Sequence, residues 1–167
     1  MTFEQTILPH LDAGYTVAYW LTRNADDARD VVQEALVRAL KYFSGYRGGD
    51  GRAWFLTIVR NTCYSWLQRQ RPSTVEFRPE EELAAHGETL TNPESTALRG
   101  ASQRRVQQAL AELPIEFREV VVLRELEGLS YKEISAVAGV PIGTVMSRLA
   151  RARERLQLSL AELRNPV

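Results

Sequence analysis

Apolar residues recur at intervals of three and four along both halves of the chain, and this spacing predicts α-helices. In the first half the predicted helices cover residues 3–21 (with an alternative start near Pro9), 28–42 and 52–70. In the second half they cover residues 93–113, 114–128, 130–139 and a last helix that starts between 141 and 144 and ends near 163. No segment has a convincing strand pattern, so we expect an all-α fold.

The second predicted helix opens with Asp26 and Asp27, which suit the positive end of its dipole. Its expected buried stripe consists of Val32, Ala35, Leu36, Ala39, Leu40 and Phe43. The segment SGYRGGDG that follows has four glycines in eight residues and predicts a loop. In the helix behind that loop, we expect Trp54 to lie in the core.

The segment LSYKEI predicts the sharp start of a short helix. Ser130 fits the N-cap of a capping box that Glu133 completes, and Leu129 can pack on Ile134 as a hydrophobic staple. Gly139 supplies the left-handed position that ends such a helix. A short capped helix, a tight turn and a longer helix together predict a helix-turn-helix.

The last helix separates its apolar and basic residues. One predicted stripe, about 80° wide, contains Val145, Leu149, Ala152, Leu156, Leu160 and Leu163. A second stripe, about 60° wide, contains Thr144, Arg148, Arg151 and Arg155, with Ser147 at its edge. Arginine can grip guanine through two hydrogen bonds, so we expect this stripe to face duplex DNA. The alternative is an ordinary solvated basic surface.

The formal net charge is zero, but the charges are unevenly distributed. Residues 1–71 hold 9 basic and 7 acidic side chains, residues 72–98 hold 1 and 6, and residues 99–167 hold 11 and 8. The middle segment is also rich in proline and poor in large apolar residues. We therefore expect two helical domains, 1–71 and 99–167, joined by a flexible acidic linker, 72–98.

Composition narrows the function further. The chain has one cysteine and two histidines, so we expect no disulfide, no metal and no cofactor. It has no nucleophile–base constellation, so we expect no enzymatic activity. It has neither a long apolar run nor a secretory signal at its start, and we expect a cytoplasmic protein without membrane insertion. No regulatory domain is expected after Val167.

Two long segments resemble bacterial extracytoplasmic-function sigma factors. Residues 113–156 (LPIEFREVVVLRELEGLSYKEISAVAGVPIGTVMSRLARARERL) are similar to that family's promoter-binding C-terminal region. Residues 26–43 (DDARDVVQEALVRALKYF) and 51–71 (GRAWFLTIVRNTCYSWLQRQR) are similar to its N-terminal region. The resemblance implies a protein that binds core RNA polymerase, directs it to −35 and −10 promoter elements, and helps to open the duplex. It also implies an anti-sigma factor as antagonist.

The resemblance assigns roles to individual positions. Those implied to contact core polymerase, through the β′ clamp, are Asp30, Gln33 and Glu34, which without the family would be an ordinary solvated face. Those implied to contact the −10 element are Tyr46, Arg60 and Asn61, with Tyr46 in the wall of a pocket for a flipped base. Without the family, Tyr46 would be a loop tyrosine packed on the core. Those implied to contact the −35 element are Thr144, Ser147, Arg148 and Arg151, with Arg155 on the DNA backbone.

One position departs from the family pattern, since Met146 stands where the family commonly has lysine or arginine. This leaves the −35 sequence open. Two other functions stay open as well: a sigma-like decoy that sequesters an anti-sigma factor without binding DNA, and a stand-alone helix-turn-helix repressor. The decoy is expected to lack the basic stripe, and the repressor needs no segment that docks on polymerase.

The acidic linker generates the first prediction. Its charge and the family pattern indicate that it threads into the basic interior of the polymerase. Replacing Glu80, Glu81 and Glu82 by glutamine is therefore expected to weaken initiation by the assembled holoenzyme. Run-off transcription measures the effect, and unchanged initiation would refute this role of the linker.

Overall fold

Helices make up most of the backbone that the computed structural model describes, which is residues 2–70 and 96–164. The first range contains α1 (Phe3–Ile7), α2 (Leu11–Thr22), α3 (Ala25–Tyr42) and α4 (Gly51–Gln70). The second contains α5 (Thr96–Ala111), α6 (Ile115–Val121), α7 (Tyr131–Ala138) and α8 (Ile142–Arg164). Neither range contains a strand, and the predicted all-α fold is confirmed. In the same two ranges, no helix combines the length and the apolar character that crossing a bilayer requires.

The first predicted helix is interrupted. Instead of one helix over residues 3–21, α1 and α2 are separated by a 3₁₀ turn at Leu8–His10. Pro9 causes the break, because its ring has no backbone N–H and clashes with the preceding turn of an α-helix. By contrast, α3 starts three residues earlier than predicted, since the Asn24 side chain accepts a hydrogen bond from the backbone N–H of Asp27 at 2.8 Å.

The first half is a bundle in which α2, α3 and α4 pack against one another and α1 packs on α4. Its core includes Val17, Val31, Phe55 and Leu56, all buried. Trp54 is only partly buried and packs at the edge of this core. Helices α2 and α4 approach closely at Gly14, where an added Cβ would lie 2.8 Å from the Phe55 ring of α4.

The second half packs α5, α6 and α7 around α8. Directly after α6, a π-helical segment, Val122–Leu126, leads to Gly128. The positive φ of Gly128, 68°, reverses the direction of the chain. The predicted linker, residues 72–98, lies outside the described residues up to position 95, and α5 already begins at Thr96.

The two halves also contact each other. Helix α6 packs on α2, and α7 packs on α4. The first helix of the predicted helix-turn-helix therefore lies beside the helix that was expected to read the −10 element.

The contact at Gly14 generates a prediction. Gly14→Ala would gain about 1 kcal/mol of helix propensity. It would also push on a fully buried Phe55, and overpacking of this kind costs about 1–3 kcal/mol. We expect net destabilisation, measured by urea unfolding. The matched control is Gly100→Ala in α5, where the added Cβ would meet only the end of the Arg104 side chain, at 3.9 Å. Equal stabilisation of both variants would contradict the close packing of α2 on α4.

Candidate nucleic-acid interface

Helix α8 is anchored by the apolar stripe that its sequence predicted. Val145, Leu149 and Ala152 are buried, while Leu156 and Leu160 are half-buried. The side chain of Leu163 lies outside the described residues. Because these residues hold one side of the helix against its own domain, the rest of its circumference is turned outward.

The five residues predicted to contact the −35 element lie outside that stripe. Ser147, Arg151 and Arg155 are exposed, and Thr144 and Arg148 are half-buried. Arg148 and Arg151 form no salt bridge with any residue in the described ranges, and the Arg155 guanidinium lies 5.2 Å from the centre of the Phe117 ring. The side of α8 therefore presents cationic and hydroxyl groups that can bind phosphates and base edges.

Another arginine of this helix has a different surrounding. Arg153 lies outside the basic stripe and pairs with Glu125 of the π-helical segment, with 2.9 Å between Nη2 and Oε1. It serves as an internal comparison for the residues that have no such partner.

Two further residues of α8 face outward that the basic stripe had not included. Met146 is 53% exposed, and Ala150 one turn later is exposed as well. At about 100° per residue, both lie on the flank of α8 away from Arg148 and Arg151, and Met146 borders the apolar stripe. They therefore belong to a different side of the helix from the basic stripe.

The short helix before α8 is fixed by local hydrogen bonds, as predicted. The Ser130 hydroxyl accepts from the backbone N–H of Glu133 at 3.1 Å, and the Glu133 carboxylate accepts from the N–H of Ser130 at 2.8 Å. Gly139 ends the helix with a φ of 69°. The Ser135 hydroxyl then donates to the carbonyl of Val140, which holds the turn into α8.

Tyr46, predicted for the −10 pocket, belongs to a cluster of aromatic rings. Its ring stacks on Phe43, with 5.6 Å between ring centres, and is tilted against Trp54 at 5.2 Å. Its hydroxyl donates to the carbonyl of Gly49 at 2.7 Å. The ring is half-buried, so in this conformation it packs on its own protein.

The other two predicted −10 residues lie next to each other on α4 but differ in exposure. Asn61 is exposed, whereas the side chain of Arg60 is directed to the other half of the chain. There the Nε of Arg60 donates to the carboxylate of Glu119 in α6 at 2.6 Å. Arg60 therefore already has an anionic partner within the protein.

The residues predicted to dock on polymerase share the outer side of α3. Asp30 and Gln33 are exposed, and Glu34 is half-buried. The Glu34 carboxylate accepts from Arg38 at 3.4 Å and from Arg69 of α4 at 3.2 Å. This pairing fixes the orientation of Glu34 without covering the other two side chains.

Apolar residues lie beside these polar ones, and here the sequence prediction is wrong at one position. Leu40 was expected in the buried stripe of this helix but is 62% exposed, and Val37 is 68% exposed. Val32, Ala35 and Ala39 are buried as predicted, while Leu36 and Phe43 are partly buried. Ala39, next to Leu40 in the sequence, takes the inward position instead. Its small side chain lets α3 pack closely on the other helices of the bundle. The outer side of α3 therefore combines acid, amide and apolar groups, as protein-binding surfaces do.

Comparison with known families finds a match in each half. Residues 7–73 match the family described as Sigma-70 region 2, and residues 103–156 match Sigma-70, region 4. The second match includes the helix-turn-helix and the basic stripe of α8.

Individual sigma factors are similar over most of the chain. The ECF RNA polymerase sigma factor SigE of Mycolicibacterium smegmatis is 35% identical over 161 residues, which are 96% of this chain and 62% of that protein. The ECF RNA polymerase sigma-E factor of Escherichia coli K12 is 37% identical over 137 residues, which are 78% of this chain and 72% of that protein. The RNA polymerase sigma-H factor of Pseudomonas aeruginosa is 34% identical, over 84% of this chain and 76% of its own length.

Solved structures agree. The sigma factor RpoE of Bartonella quintana, crystallised with the anti-sigma factor NepR, superimposes with a TM-score of 0.73 and 29% identity, over 95% of this chain and 96% of that one. CnrH in complex with the cytosolic domain of CnrY gives a TM-score of 0.65 and 25% identity, over 95% and 87%. With both family regions in order and relatives above 30% identity over most of their length, the chain belongs to the extracytoplasmic-function family of RNA polymerase sigma factors, the subunits that direct bacterial polymerase to promoters.

Proposed function

We propose that this chain binds core RNA polymerase through the β′ clamp and β subunits and uses separate helices for the two promoter elements. Helix α8 reads the −35 element, the loop after α3 together with α4 reads and melts the −10 element, and the outer side of α3 docks on the clamp. The observation that carries the proposal is the outward side of α8, where Arg148 and Arg151 have no ion-pair partner among the described residues.

The −10 assignment rests on chemistry that can hold an unpaired base. Tyr46 lies in an aromatic cluster, and stacking of a base on such a ring returns about 1–3 kcal/mol. Flipping a base out of the duplex costs a similar few kcal/mol. Because Tyr46 stacks on Phe43, a base must take the place of that contact, and the exposed Asn61 offers an amide for its edge.

The docking assignment rests on the outer side of α3. Asp30, Gln33 and Glu34 supply acid and amide groups for a basic helical partner such as the β′ clamp coiled coil. Val37 and Leu40, further along the same side of α3, add an exposed apolar patch. Interfaces gain most of their affinity from a few residues of this kind.

An antagonist and a location complete the proposal. RpoE of Bartonella quintana was crystallised with the anti-sigma factor NepR, and we expect an anti-sigma factor for this chain as well. We place the protein in the cytoplasm, where polymerase works, and assign it a binding role with no enzymatic step of its own.

Run-off transcription with purified core polymerase separates this function from its two rivals. The templates are promoters found by mapping transcription start sites after overexpression. A promoter-dependent transcript that requires both the chain and the core supports the proposal. A decoy or a repressor would yield no such transcript, and that result would overturn the assignment.

The basic stripe of α8 generates a quantitative prediction. Arg148→Ala is expected to weaken promoter recognition by the holoenzyme by about 1–3 kcal/mol, or about 5- to 150-fold, because a base or phosphate contact is lost. Competition binding with promoter DNA measures it, and circular dichroism checks the fold. The control is Arg153→Ala, which removes the same charge from a residue already paired with Glu125. If the two variants bind promoter equally well, the face of α8 is assigned wrongly.

The exposed apolar residues of α3, Val37 and Leu40, generate another prediction. Leu40→Ala is expected to weaken binding to a purified β′ clamp coiled coil at least about fivefold, as loss of an interface anchor does, with little change in stability because Leu40 is mostly exposed. Isothermal titration calorimetry gives the affinity. Leu158→Ala provides a matched control, since Leu158 is 61% exposed but lies on α8. Equal affinities for both variants would rule out Leu40 as an anchor.

A further inference from the structure

The contact between the two halves contains a carboxylate that water does not reach. Glu119 of α6 has a fully buried side chain, and its two oxygens have partners in the other half of the chain. Oε1 accepts from the Nε of Arg60 at 2.6 Å, and Oε2 accepts from the hydroxyl of Tyr64 at 2.9 Å. Both partners lie on α4, more than fifty residues away in sequence.

The residue next to Glu119 makes a second buried connection. Arg118 donates through Nε to the carbonyl of Trp20 in α2 at 2.6 Å. Its Nη1 donates to the carbonyls of Ala111 and Leu113 in its own half, at 3.1 and 2.9 Å. Burial lowers the pKa of Arg118 to about 10, with Arg23 nearby contributing, so the group stays charged at neutral pH. We call Arg60, Tyr64, Arg118 and Glu119 the interdomain latch.

Arg60 is held in the latch from two directions. Its guanidinium lies over the Tyr64 ring, 3.9 Å from the ring centre, while Glu119 binds its Nε. Burial by itself would lower the pKa of Arg60, but the hydrogen bond and the charge of Glu119 outweigh it and raise the pKa. The guanidinium is thus a fully charged group whose counter-ion is a protein carboxylate.

A second contact closes the same interface nearer the helix-turn-helix. Arg52, in the first turn of α4, donates to the carbonyl of Glu127 at 3.1 Å and to the Glu133 carboxylate at 3.4 Å. Its side chain is about one-third exposed, so this contact lies at the rim of the interface, whereas Glu119 lies at its centre.

From these contacts, and given the proposed function, we infer that Glu119 competes with promoter DNA for Arg60. In the free chain the latch holds the two halves together and withdraws Arg60 from any phosphate or base. Reading of the −10 element requires the halves to separate at α6, and core polymerase supplies the binding energy for that separation. The free protein is thereby kept from single-stranded DNA by its own carboxylate.

The competition between Glu119 and DNA for Arg60 is energetically feasible. A carboxylate without a partner is costly in the interior, so weakening one side of the pair shifts the equilibrium toward the separated form. On separation Glu119 regains water and Arg60 becomes free to bind a phosphate. The apparent affinity for DNA is the intrinsic affinity reduced by the fraction of separated molecules.

The test uses the full-length chain and two readouts. Dyes are attached at Glu4→Cys and Ser102→Cys, both exposed, in different halves and outside the surfaces proposed to bind DNA or polymerase. The native Cys63 does not compete for the dyes, because it is buried and burial raises the pKa of its thiol. Energy transfer then reports separation, and fluorescence anisotropy reports binding to a non-template-strand oligonucleotide from the promoter used for run-off transcription.

Glu119→Gln is expected to lower energy transfer in the free chain and to tighten oligonucleotide binding about tenfold, as release of a 90% closed population would. The double variant Glu119→Gln/Arg60→Ala is expected to stay separated but to lose the gain in affinity. The control Glu125→Gln removes a carboxylate paired within the second half and should change neither readout. Arg52→Ala, at the partly exposed rim, should act in the same direction as Glu119→Gln, so the test stands even if the latter folds poorly.

Unchanged energy transfer in both Glu119→Gln and Arg52→Ala would overturn the latch. A gain in DNA affinity that persists after Arg60→Ala would overturn the competition for Arg60. Failure of the proposed function is distinguishable from both. In that case the Glu119→Gln variant would show lower energy transfer, yet the wild-type chain would give no transcript with core polymerase.

Discussion

Two ionised side chains that water does not reach determine how the halves of this molecule fit together. An unpaired charge in a protein interior costs several kcal/mol, so each buried charge must find a partner nearby. Glu119 finds Arg60 and Tyr64 on α4, and Arg118 finds the carbonyl of Trp20 on α2. Both side chains have partners in the other half of the chain. The position of α6 on the first bundle is therefore fixed by the geometry of these hydrogen bonds as well as by apolar contact.

The same contact affects the two surfaces proposed to bind the promoter in different ways. On α8, Arg148 and Arg151 have no ion-pair partner among the described residues, whereas Arg60 on α4 forms an ion pair with Glu119. Each half of the chain has only a small excess of positive charge, so neither is expected to hold DNA tightly by itself. A polymerase that fixes both halves at a set separation makes the two weak contacts act together.

Local signals in the sequence predicted the parts of this structure that depend on neighbours in the chain. Ser130 and Glu133 are three residues apart and cap a helix wherever it lies, and the buried side of α8 follows from its apolar period alone. Leu40 was misplaced because α3 has apolar residues on more than one side, and periodicity cannot decide which of them another helix covers. No local pattern singled out Arg118 and Glu119, since their partners are 98 and 59 residues away in sequence.

The capping box of α7 has a consequence for motion. Glu133 binds the backbone of Ser130 within its own half and also touches Arg52 across the interface. Only the bond from Arg52 joins the two halves. Separating the halves therefore leaves the geometry of the capped helix, its turn and α8 unchanged. We therefore expect the unit formed by α7, its turn and α8 to keep the same shape whether or not it is docked, so that its displacement requires no refolding.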